Sequence, residues 1–187
     1  MEKTAVQKLA QVLRTMILIV FACDLLALIF VPFLVDQQFL VDLDSIASTF
    51  RYDFDDGLAI FFDTAYYQVW RQPYTFVLTL FLWACGICAA VILWQGKCVL
   101  DTILEGEPFT LSNAQNLKRA AVCCFLIAGA ALARLIWGLA YYRSIAPLHT
   151  YNALFVPIFF MAGLLCLVMS ALFRQAAELK EDQDLTI

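Results

Sequence analysis

An all-α integral membrane protein, a bundle of four transmembrane helices, is the fold class this sequence predicts, and three observations predict it. Four apolar runs, Met16–Val35, Phe76–Trp94, Ala120–Ala140 and Leu154–Phe173, occupy most of a chain of 187 residues. Each matches the roughly 20 helical residues that cross a hydrocarbon core about 30 Å thick. The composition agrees: 63% of residues are hydrophobic and only 15% charged, against about a quarter charged in soluble domains. The third observation is where the charges fall, since most lie between or beyond the runs. In lipid only helices and closed barrels satisfy their own backbone groups, and runs of this length are helical.

The first run follows Lys3, Lys8 and Arg14. It is longer than the roughly 7–15 apolar residues of a removable signal, so it reads as a permanent span. The positive-inside rule orients the rest. Lys3, Lys8 and Arg14, then Lys97, Lys118 and Arg119, then Arg174 and Lys180 fall on one side, with Arg51, Arg71 and Arg143 on the other. Both termini and the 95–119 connection are therefore expected in the cytoplasm of a cell whose inner membrane holds the protein. Aromatic residues around the opposite ends, among them Trp70, Trp137, Tyr141, Tyr142 and Tyr151, suit an interfacial belt.

The outer loop, 36–73, carries seven aspartates. Within it Leu58, Phe61, Phe62, Ala65 and Val69 approach helical spacing, so a short surface helix over Leu58–Trp70 and an irregular loop are both open. Asp53, Asp55 and Asp56 do not fit a calcium loop, because Tyr52 and Phe54 stand where ligands are needed. The single histidine, His149, excludes a bis-histidine haem. No metal and no cofactor are expected. The net charge of −4 argues against nucleic acid as a partner. The lipid bilayer is the one partner implied outright.

Past the second run, Val99, Leu100, Ile103 and Leu104 keep one apolar face opposite Lys97, Asp101 and Glu105, so that helix extends beyond the membrane. Gly106 supplies a stop and Pro108 cannot continue the ladder. Thr110 or Ser112 can cap the next helix, and Ser112 with Gln115 has capping-box spacing. At these residues, Gly106-Glu107-Pro108-Phe109-Thr110, Asn113 and Leu117-Lys118-Arg119, the chain resembles a bacterial family of four-span membrane proteins known only as a domain of unknown function. In that family the position three after the cap is often acidic, where this chain has Asn113. The resemblance implies no reaction. It does imply a regulatory partner, since members are often encoded near small helix-turn-helix regulators.

Asp24 in the first span and Arg134 in the third lie within the membrane, where an ionisable residue costs about 2.5–3.5 kcal/mol. Counted from the starts of the runs they are roughly 12 and 21 Å deep, and an ion pair or shared pocket is expected. Ala130, Ala131, Arg134 and Gly138 share a face of small residues that marks a helix contact. Of seven cysteines, none lies in an outer connection, which excludes a disulfide framework. Cys85 and Cys88 have C-x-x-C spacing but sit deep in the second span, where helix packing by small residues accounts for them.

No phosphate loop, nucleophile elbow or histidine–glutamate metal motif occurs in the chain. The first functional expectation is thus an accessory, sensing or regulatory membrane protein without catalysis, joined by a cytoplasmic protein partner or by copies of itself. The alternative is a small transporter or channel subunit using Asp24 and Arg134. A further one is a thiol or quinone oxidoreductase using Cys85 and Cys88.

Overall fold

The computed structural model describes residues 5–35, 59 and 73–184. Among them are four long helices, α1 (Ala5–Val35), α2 (Pro73–Glu105), α3 (Leu111–Tyr142) and α4 (Tyr151–Asp184), with a 3₁₀ turn at Ala146–His149. All four are long and apolar enough to cross a membrane. Apart from Ala59, the expected surface helix at 58–70 lies outside the described residues, as do the aspartates of the outer loop. Every helix outruns its apolar stretch. The backbone ladder continues wherever residues tolerate helical angles, so α4 runs on through the polar segment Arg174–Asp184, and α3 starts nine residues before Ala120.

Packing divides the chain into two compact units, Met1–Leu25 with Ile87–Ile187, and Leu26–Gly86. In the first, sequence neighbours are antiparallel. Arg14 meets Asp101, Ile17 meets Gly96 and Phe21 meets Trp94, so α1 descends as α2 rises. Thr102 meets Asn113 and Cys88 meets Cys123 across α2 and α3. Ser170 donates to the Ala114 carbonyl at 2.6 Å, and Phe125 packs edge-on to Phe160 with ring centroids 5.6 Å apart, across α3 and α4.

The most enclosed helix is α3. A third of its apolar window is buried (33%), against 6% for α1 and α4. Its buried residues include Asn113, Ala114, Ala120, Ala121, Cys124, Ile127, Ala128 and Ala131, a stripe at three- and four-residue spacing. Small side chains let backbones approach where no hydrophobic effect drives helices together. Gly163 on α4 shows how close they come, because a Cβ there would sit 2.9 Å from the Phe125 ring. The large apolar residues left outside, such as Leu126, Ile136, Leu165 and Val168, face where lipid lies.

In the second unit, Pro32 falls inside α1. It has no N–H, so the Leu28 carbonyl one turn back loses its intrahelical donor. In a bilayer such an acceptor needs another partner. The indole Nε1 of Trp83 on α2 donates to that carbonyl at 3.1 Å. The Thr79 hydroxyl, buried in the same unit, donates back to the Thr75 carbonyl at 2.8 Å.

Candidate functional site

The sequence singles out two places, the 106–119 segment and the intramembrane charges, and the structure treats them differently. At the first, α2 ends in a Schellman motif. Gly106 N–H donates to the Ile103 carbonyl at 3.2 Å and Glu107 N–H to the Thr102 carbonyl at 3.0 Å. Gly106 has φ +90°, which an L side chain resists and glycine adopts freely. Four residues later Thr110, with extended backbone, caps α3, its hydroxyl oxygen accepting from Asn113 N–H at 3.2 Å. Thr110 is therefore the cap, and Ser112 is already the second residue of the helix.

Asn113 holds the reversal together. It is wholly buried, and its side-chain amide donates both to Thr102 Oγ1 at the end of α2 and, at 2.8 Å, to the Pro108 carbonyl. The Thr102 hydroxyl donates its own hydrogen bond to the Val99 carbonyl at 2.8 Å, which leaves its lone pairs free to accept. A carboxylate here would be an acceptor only and could make neither bond. The Asn113 Oδ1 is buried with no hydrogen-bond partner among the described residues, so what the position uses is its donors. Phe109 packs on Phe173 of α4 with centroids 5.5 Å apart yet remains half exposed, beside exposed Leu111. Lys118 and Arg119 are exposed about two turns further along α3.

The charged ends of the helices are tied together. Asp101 accepts from Lys97 at 2.8 Å and lies 2.7 Å from the Arg14 Nε, a charge contact whose N–H is not aligned for a hydrogen bond. Lys97 also sits 5.0 Å from the Trp94 ring centroid, close enough for a cation–π contact. Lys180 of α4 reaches Glu107 of the turn at 3.5 Å. Lys97 and Asp101 are four residues apart on the polar face of α2 that the sequence marked, whereas Arg14 was marked only as an orienting charge, and its pairing with Asp101 became visible once α1 and α2 were side by side.

The expected Asp24–Arg134 pair is not formed. Arg134 Nη1 donates to Asn152 Oδ1 of α4 at 2.7 Å, while Asp24 Oδ2 is buried without a hydrogen-bond partner among the described residues. The physical reason is depth. The contacts of α1 on α2 set Asp24 level with about Ala90, and those of α2 on α3 set Ala90 level with about Cys123. Arg134 lies eleven residues beyond Cys123, roughly 16 Å further along the helix. Arginine cannot span that gap.

All seven cysteines are thiols. Cys88 lies against Cys123 of α3, and Cys124 against Cys166 of α4, so thiols meet across helices at the packing stripe. Among the described residues no group of histidine, cysteine, aspartate and glutamate is arranged to hold a metal ion. His149 lies in the 3₁₀ turn between α3 and α4.

Four apolar helices and no strand among the described residues define a multi-pass, all-helical membrane protein. Residues 56–187 match the family described as "Protein of unknown function (DUF2975)", and the chain belongs to that family. The match takes in the whole 106–119 segment that carried the resemblance. No curated protein and no solved structure matches the chain.

Proposed function

We propose that this is an accessory or regulatory protein of the cytoplasmic membrane that docks a soluble protein through the 106–119 turn, with the turn and both termini in the cytoplasm. The orientation is supported by eight lysines and arginines on that side against three on the other. The observation that carries the docking is the clasp of Asn113 on Thr102 and Pro108. A connection that merely reverses the chain needs no buried side chain. This one holds its outer surface fixed, with Phe109 and Leu111 offered beside Lys118 and Arg119. A partner suited to it carries an apolar pocket rimmed by acidic residues.

The test is crosslinking mass spectrometry in native membranes, scoring only crosslinks that map to residues 106–119. Wild type is expected to link one soluble protein there, and Phe109→Ala combined with Arg119→Ala to lose that link while keeping crosslinks within the chain. Crosslinks from the turn that are unchanged in the double variant, or that reach only other copies of this chain, would overturn the reading.

A further inference from the structure

Beside the turn, between the start of α3 and the polar extension of α4, lies an open groove of about 550 Å³. α3 lines it with Leu111, Gln115 and Lys118, and α4 with Leu167, Ala171 and Arg174, so each wall carries both apolar and polar side chains. The groove sits where α4 changes character, apolar through Phe173 and polar from Arg174 onward. In a membrane that is the depth of the phosphate groups.

The hydrogen-bonding capacity of the polar lining residues is largely unspent. Arg174 uses Nε on Glu178 at 2.8 Å, which leaves its two Nη groups open. Neither Lys118 nor Gln115 has an ion pair or hydrogen bond to any described residue. Ser170, also on the lining, is already committed to the Ala114 carbonyl. Two cations against the single carboxylate of Glu178 leave one positive charge facing the groove. That complements the single negative charge of a phosphodiester, and arginine's planar fork suits phosphate oxygens.

We propose that this groove binds the headgroup phosphodiester of an anionic phospholipid. Lys118, Arg174 and Gln115 hold the phosphate and an acyl chain lies along Leu167 and Leu111. Basic pockets between helices at the membrane surface recognise headgroups in this way. The groove shares Leu111 and Lys118 with the docking surface, but Phe109 and Arg119, the two residues replaced in the docking test, take no part in its lining, so the two readings fail separately.

Native mass spectrometry of the purified protein, titrated with phosphatidylglycerol or phosphatidylcholine in detergent, tests it. Retention of phosphatidylglycerol is expected to exceed that of phosphatidylcholine. At about 1 kcal/mol per basic residue, replacing both Lys118 and Arg174 by Gln weakens it by about tenfold or more. Lys180→Gln, which removes the same kind of charge outside the lining, leaves it unchanged. Lys118→Gln alone, at an exposed and unpartnered position, gives a smaller loss and keeps the test readable if the double variant does not fold. Equal retention of the two lipids, undiminished retention in the double variant, or full displacement by millimolar inorganic phosphate would overturn the lipid assignment.

Discussion

The two reversals that flank α3 do the same geometric job by opposite means. Between α2 and α3 the chain turns in five residues, with a Schellman stop at Gly106, a threonine cap at Thr110 and a buried amide tying both helices to the loop. Between α3 and α4 it takes eight residues, and the bonds are local and exposed. Ala146 N–H donates to Ser144 Oγ at 3.3 Å, Leu148 N–H to the Ile145 carbonyl at 3.0 Å, and Thr150 Oγ1 to the Pro147 carbonyl at 2.6 Å. Its helix stop is Arg143, a non-glycine residue at φ 47°. The difference teaches where the fold commits its buried polar groups. The first reversal is fixed by bonds that reach back into α2 and by contacts of Phe109 and Glu107 with α4, whereas the polar bonds of the second close within its own segment.

Asn113→Ala should therefore cost most. It removes two donors from a buried site and leaves a void, a loss of about 2–3 kcal/mol, read as a lowered midpoint of thermal unfolding in detergent. A midpoint like that of wild type would mean that the first reversal is as self-sufficient as the second. Gly106→Ala comes next. No atom lies within 4 Å of the added Cβ, so the expected cost of about 1–2 kcal/mol is backbone strain alone. The smallest effect has the opposite sign. Arg143→Gly relieves left-handed strain at the second reversal and, after the greater freedom of glycine in the unfolded chain, should gain at most about 1 kcal/mol in the same unfolding experiment. A loss there would show that the arginine side chain holds that turn by a contact of its own.

Much of this was legible from residues alone. The four spans followed from apolar length, and the stop at Gly106 from a glycine with a proline two residues on, because both depend on local chemistry. The helix ends were less legible, since apolar runs end where polarity begins and helices end where hydrogen bonding does. Asn113 could be flagged, but its role could not be read. Nothing in sequence says that Thr102, eleven residues earlier, and Pro108 converge on one amide. Pro32 announces an orphaned Leu28 carbonyl, yet only packing supplies Trp83 to satisfy it. The intramembrane charges were misjudged for a related reason. Depth counted from the edges of apolar runs ignores how far each helix slides against its neighbour, and that slide places Asp24 level with Cys123 rather than Arg134.

By itself the sequence determined that this chain crosses a membrane four times and stops α2 at Gly106, because bilayer thickness and backbone conformational preference act on a few adjacent residues. Only the tertiary structure decided which polar groups pair: Arg134 with Asn152, Asp101 with Arg14, and Asn113 with both sides of its turn. Such pairing depends on the relative heights of antiparallel helices, and those heights are set by how small residues along α3 let its neighbours close in.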